Sequence, residues 1–160
     1  MDEIPPISEL AEREHLAHRP LTGLWRPLYA QIIQELKVDS VAELGAGSPD
    51  LLEALEQVSR RVAIDGGTRW REKFLEGGIA FHLIDLNSSV LPALKPFQAV
   101  VCTDVLEHLL FPRRVLEWIA QTLLTENGIL ISHVPNEFTL RRNLGIMTGR
   151  RDAVYFHPEL

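Results

Sequence analysis

From residue 41 onward the apolar positions gather into short runs: Val41–Leu44, Val62–Ile64, Ala80–Ile84, Ala99–Cys102 and Ile129–Val134. Each run is nearly continuous rather than alternating, the pattern of strands covered on both faces of a parallel sheet. Segments of helical length separate them: Pro49–Val58, Thr68–Glu76, Ser88–Leu94 and Pro112–Leu124. In the last, Val115, Leu116, Ile119, Ala120 and Leu123 mark one face, and Glu126-Asn127-Gly128 supplies a stop signal. Residues 1 to 38 carry no strand signal. Ser8 to His18 is polar and helix-prone up to the break at Arg19-Pro20. A second helix is predicted after Trp25, with Pro27 at its first position and Leu28, Ile32 and Leu36 on one stripe. Strands alternating with helices imply right-handed βαβ crossovers and an α/β, doubly wound, mainly parallel sheet with helices on both faces.

Length and composition narrow this further. The chain has 160 residues, room for one ordinary domain, with 46% hydrophobic and 24% charged residues, the balance of a folded globular protein. A single cysteine, Cys102, excludes an internal disulfide framework and fits a reducing compartment. No apolar run approaches the roughly 20 residues of a membrane span. The acidic start Met1-Asp2-Glu3-Ile4-Pro5-Pro6 lacks the apolar core of a secretory signal. A net charge of −6 argues against nucleic acid as a partner, since phosphate neutralisation needs clustered Lys and Arg. The basic pairs Arg141-Arg142 and Arg150-Arg151 are offset by Glu137, Asp152 and Glu159 and read as a solvated helix face. A cytoplasmic location and a small-molecule ligand are the resulting expectations.

The candidate chemistry begins at Val41-Ala42-Glu43-Leu44-Gly45-Ala46-Gly47-Ser48-Pro49-Asp50, a strand running into a glycine turn and a helix. Gly45 and Gly47 permit backbone angles and a close ligand approach that a side chain would block. Ser48 suits an N-cap, Pro49 the first helical position and Asp50 the positive helix end. Without a ligand the same residues make a tight βα turn. A dinucleotide fingerprint requires Gly or Ala where Asp50 stands, and a carboxylate there would occupy the place of the pyrophosphate. That disfavours an NAD-dependent oxidoreductase.

The segment Glu43-x-Gly45-x-Gly47 resembles the first motif of class I S-adenosylmethionine-dependent methyltransferases, with the third glycine replaced by Pro49. The resemblance implies a Rossmann-like fold in which Glu43 orients the methionine end of the cofactor and Gly45, Ala46 and Gly47 lie under it. It implies that Asp65, followed by Gly66, binds the ribose hydroxyls, and a carboxylate can accept from both. Asp85 and Leu86 match the adenine-contacting segment, and Thr103 and Asp104 follow the fourth strand at the same ligand. Read from the residues alone, Asp65 is a strand-end carboxylate and Asp85 belongs to a polar loop.

Cys102-Thr103-Asp104-Val105-Leu106-Glu107-His108-Leu109 resembles the "LEH" segment of small-molecule methyltransferases of the MetW and ubiquinone-biosynthesis O-methyltransferase groups. Pro112, Glu126-Asn127-Gly128 and Ser132-His133-Val134-Pro135-Asn136 extend the match to about residues 40 to 136. The implied activity is methyl transfer from S-adenosylmethionine to an O or N of a small molecule, leaving S-adenosylhomocysteine. His108 is then a candidate general base, or a residue that caps a helix or bonds Glu107. Asp104, Glu107 and His108 also resemble a metal-holding E-x-x-E-H segment that His133 or His157 could complete. The first position departs from that pattern, and no metal is expected. Cys102 reads as a buried strand residue.

The organisation expected is a helical lid or extension over 1–38, a cofactor-binding core over 39–136 and an incomplete C-terminal part over 137–160. Relatives of this class add two more strands, for which the 24 residues after Asn136 show no pattern. An open sheet edge favours a homodimer or a partner subunit. The alternative function is a catalytically inactive S-adenosylmethionine-binding partner or regulatory subunit. No motif specifies the acceptor.

Overall fold

A computed structural model of the chain describes residues 22–134, with side chains from Trp25 onward. It contains β1 (Ser40–Leu44), β2 (Arg60–Asp65), β3 (Ala80–Leu83), β4 (Phe97–Thr103) and β5 (Leu124–His133). The helices are α1 (Thr22–Leu36), α2 (Asp50–Glu53), α3 (Arg71–Glu76) and α4 (Pro112–Trp118), with a 3-10 turn at Leu106–His108 and a π turn at Ile119–Leu123. Every strand pair is parallel and the order is β3-β2-β1-β4-β5. The chain is therefore the doubly wound α/β sheet expected from its pattern. The order reverses between β1 and β4, so a crevice opens at their carboxyl ends, where such sheets hold ligands.

The period of two along each strand builds two cores. Val41, Ala63, Ala99 and Val101 face one side and meet Tyr29 and Ile33 of α1, Leu51, Leu52 and Leu55 around α2, and Phe74 of α3. Ala42, Leu44, Val62, Ile64, Val100 and Cys102 face the other and meet Val115, Trp118, Ile119 and Leu123. Helices thus cover both faces, and Cys102 is fully buried.

Several local expectations are corrected. Ser88–Leu94 is not helical. Its stretch runs without regular structure: Trp118 Nε1 takes the Pro92 carbonyl at 2.9 Å, and just beyond the stretch Arg60 donates to Lys95 O at 3.0 Å and to Pro96 O. Glu126-Asn127-Gly128 lies within β5, not beyond a helix, where the β4–β5 register shifts between Phe97 and Ala99. On α4 and the following π turn the buried residues are Val115, Trp118, Ile119 and Leu123, while Leu116 faces out. β3 is an edge strand with Leu83 exposed, so its continuous apolar run reflects no second cover.

Pro27 lies inside α1 rather than opening it. The helix also turns a different face inward from the one its four-residue stripe suggests: Tyr29, Ala30 and Ile33 are buried, and Leu28, Ile32 and Leu36 are exposed. The reason is Arg26, which shares the face of 29, 30 and 33 and is bonded to the turn after β1, fixing the helix's rotation. The expected helix at Ser8–His18, the arginine pairs at 141–142 and 150–151, and His157 lie outside the described residues.

Candidate functional site

The site is built on the turn that ends β1. Gly45 and Gly47 have φ of +60° and +57°, angles that L side chains rarely adopt. Gly45 N–H donates to Ile64 O at 2.8 Å, closing the turn onto β2. A Cβ at Gly45 would lie 2.4 Å from Val105 Cγ2, so the segment after β4 packs directly on the glycine. Ala46, between the two, is fully buried.

Two side chains hold this turn in place. Asp65, at the end of β2, accepts from Gly47 N–H at 2.9 Å with Oδ2 and from Gly67 N–H at 2.8 Å with Oδ1. Arg26 reaches in from α1, donating to Ala46 O at 2.9 Å and Ser48 O at 3.0 Å. Sequence reasoning missed Arg26; a lone cation among Tyr29, Ala30 and Ile33 on an otherwise apolar helical face was its available signal. Ser48, expected as an N-cap, gives its hydroxyl to Asp50 Oδ2 at 2.6 Å and caps no backbone N–H.

Glu43 lies beneath the turn at 1% exposure, a buried carboxyl on the central strand. Its Oε1 is 3.4 Å from Arg26, while Oε2 has no hydrogen-bond partner. Burial pushes its carboxyl up to about 8, outweighing the opposing pull of Arg26, with Asp65 and Asp50 adding to the rise. A buried oxygen without a partner is costly, and a cationic ligand over the turn would relieve it.

The other expected residues flank this centre. Exposed Gly66 follows Asp65. Asp85 accepts from Asn87 N–H at 2.8 Å within its own turn, and Leu86 packs into the core below rather than standing free. Thr103 ends β4 opposite His133 of β5. Asp104 has a φ of +53°, its N–H donates to His133 O at 3.0 Å, and its Oδ1 lies 3.2 Å from His133 Nδ1. Trp25 of α1 stacks obliquely on His133 with ring centroids 5.7 Å apart. His108 closes the 3-10 turn, its N–H donating to Val105 O at 3.0 Å. Asp104 lies outside that turn, so Asp104, Glu107 and His108 do not share one helical face. Among the described residues no three His, Cys, Asp or Glu side chains gather closely enough to hold a metal. No helix there is long and apolar enough to cross a membrane.

Comparison with known proteins fixes the fold. No family model matches the sequence, and no curated protein does either. The N-methyltransferase NodS from Bradyrhizobium japonicum WM9, solved with S-adenosyl-L-homocysteine, superposes with a TM-score of 0.66 at 17% identity, over 80% of this chain and 72% of NodS. The chain has a methyltransferase fold. The plantazolicin methyltransferase BpumL, solved with a triazolic desmethylPZN analog and SAH, gives 0.62 at 16% identity, over 94% of this chain and 58% of BpumL. An S-adenosylmethionine-dependent methyltransferase from Clostridium acetobutylicum ATCC 824 gives 0.62 at 17% identity, over 86% of this chain. The chain spans 61% of that protein's length. The described residues carry the five parallel strands of this fold, and the narrower likeness to the MetW and ubiquinone groups is not separated from the class by these neighbours.

Proposed function

We propose that the chain binds S-adenosylmethionine over the Gly45–Gly47 turn and transfers its methyl group to an O or N of a small-molecule acceptor. The observation that carries this reading is Glu43, a buried carboxyl with an unpartnered oxygen directly under a positive-φ glycine turn. The cofactor's α-ammonium is the cation that such an oxygen calls for. Asp65, held at the end of β2 by two backbone N–H groups, keeps lone pairs for the vicinal ribose hydroxyls. Gly66, Asp85 and Leu86 lie toward the adenine, and Thr103 and Asp104 toward the reacting end. When bound, the cofactor supplies the sulfonium methyl; this chain's residues orient it, seat the acceptor and move a proton. His108 stays a candidate for that proton transfer. Asp50, with Ser48 bonded to it, puts a carboxylate where a dinucleotide would need a phosphate.

The test is calorimetric titration of the full chain with S-adenosylmethionine and S-adenosylhomocysteine, beside Glu43→Gln and Asp65→Asn. Micromolar binding is expected, weakened at least about tenfold in each variant, as for a lost hydrogen bond to a charged group. A folded, monodisperse chain that binds neither ligand would overturn the proposal.

A further inference from the structure

Strand order divides the carboxyl edge of the sheet into two halves, one at the ends of β1 and β2 and one at the ends of β4 and β5. A single segment, residues 105–110, leaves the second half and reaches back across the first. It packs Val105 on the glycine turn, where a Cβ on Gly45 would lie 2.4 Å from Val105 Cγ2. It then makes the 3-10 turn at Leu106–His108 and presents Leu110 N–H to Asn87 Oδ1 at 2.9 Å, in the loop after β3. Leu106 and Leu109 pack on the core cluster that contains Val105 and Leu86. The segment is a strap anchored at each end of the seat proposed for the cofactor: the glycine turn over Glu43, and the loop that carries Asp85 and Leu86.

The second anchor is one residue. Asn87 accepts from Leu110 N–H with its side chain and from Arg114 Nη2 with its carbonyl, each at 2.9 Å, and its own N–H donates to Asp85 Oδ1 at 2.8 Å. Its polar groups therefore join the Asp85 carboxylate, the far end of the strap and the start of α4. Residues 84–96 and 109–111 lie outside helix and strand. Segments without regular structure open most readily, and a ligand that prefers their closed form holds them shut.

We infer that Asn87 is a positioning residue that couples occupancy of the cofactor seat to closure of the 105–110 strap. This rests on the proposed cofactor and adds the residue through which its base end acts on the rest of the site. A cofactor that bonds Asp85 and packs on Leu86 holds the Asx turn at residues 85–87, and that turn aims Asn87 Oδ1 at Leu110 N–H. Its other end lies on the glycine turn that Val105 covers. Each end of the bound molecule favours the closed strap, and by linkage the closed strap favours the bound molecule by the same factor. The strap carries His108 and ends at exposed Leu110 and Phe111, so the acceptor meets its finished surface once the cofactor is in place. The binding order is cofactor first and acceptor second.

The test uses the full chain labelled with 15N, amide hydrogen exchange as the readout and S-adenosylhomocysteine as the probe. At saturation the probe is expected to slow exchange of Leu110 N–H by about fivefold or more, the lower end of coupling between sites. Gly47 N–H, bonded to Asp65 rather than to the strap, should slow as well. Asn87→Ala is expected to lose the slowing at Leu110 while keeping it at Gly47, and to bind the probe about fivefold or more weakly. Asn87→Asp keeps an oxygen for Leu110 N–H and is expected to restore both, a rescue that general loosening of the loop would not give. Exchange at Leu110 indifferent to bound probe, an alanine variant that keeps the slowing, or an aspartate variant no better than alanine would each overturn the coupling. If Asn87→Ala does not fold, the parent's response at Leu110 and its survival in Asn87→Asp decide. Failure of the unaltered chain to bind the probe would instead overturn the cofactor reading beneath it.

Discussion

The contact between Gly45 and Val105 allows a quantitative test of how the turn is built. Gly45→Ala forces an alanine to φ +60° and places its Cβ 2.4 Å from Val105 Cγ2. The backbone term is about 1–2 kcal/mol, and overpacking a filled site adds about 1–3 kcal/mol. The variant should lose about 2–5 kcal/mol, or roughly 5–15 °C in Tm for a domain of this size. Gly47→Ala is the internal control. Its φ is +57°, but the nearest atoms to a new Cβ are Gly45 O at 3.9 Å and an Arg26 nitrogen at 4.0 Å. It should therefore lose only the backbone term. Val105→Ala alone should cost about 2 kcal/mol for its buried methyls. The double variant Gly45→Ala/Val105→Ala should be about 1–3 kcal/mol more stable than the sum of the two single losses, since the new methyl enters vacated space. Urea denaturation of all four variants gives the cycle. Strict additivity, or equal losses at the two glycines, would refute the steric account.

Glu43 supplies a pH signature. Its folded carboxyl holds its proton up to about 8, whereas in an unfolded chain it releases it near 4.5. The folded state thus binds more protons between those values, and stability should fall as pH rises through that window, by at most about 5 kcal/mol. Glu43→Gln should flatten the decline in chemical denaturation across pH 5 to 8. Binding S-adenosylhomocysteine near pH 7 should release a proton from Glu43, read as a dependence of calorimetric heat on buffer ionisation enthalpy. Arg26→Met should lower the thermal midpoint by several degrees, because the guanidinium's two carbonyl bonds at the turn are worth about 1 kcal/mol or more each. Cys102 is fully buried and its thiol is pushed up to about 12 by burial and then Glu107. It should resist a thiol-reactive chromophore in the folded chain and react on unfolding.

The strands were legible because the central ones, β1, β2 and β4, are covered on both faces and leave continuous apolar runs. The same signal misled at β3, where Leu83 stands exposed at the sheet edge. Ser88–Leu94 has helical length, but Trp118, which takes its Pro92 carbonyl, and Arg60, which holds Lys95 just beyond it, are distant in sequence. In the site, the glycines and Asp65 were legible because a turn and a strand end dictate their types locally. The link between Asp65 and Gly47 N–H depends on β1 and β2 lying side by side and had no local sign. Likewise His133 and Asp104 are 29 residues apart in the numbering and meet only through the β4–β5 register. Arg26 was hidden because the obvious stripe on α1, Leu28, Ile32 and Leu36, is the face turned outward.

Trp25 and Arg26 are adjacent on α1, yet they serve opposite halves of the sheet edge. Arg26 braces the glycine turn, and Trp25 stacks obliquely on His133. A slip of the helix by one residue would turn it by about 100° and withdraw both supports together. The two halves therefore share an evolutionary fate. Substitutions that re-aim α1 beside His133 also disturb the glycine turn, so this helix tolerates change best at positions that leave its pitch and rotation untouched.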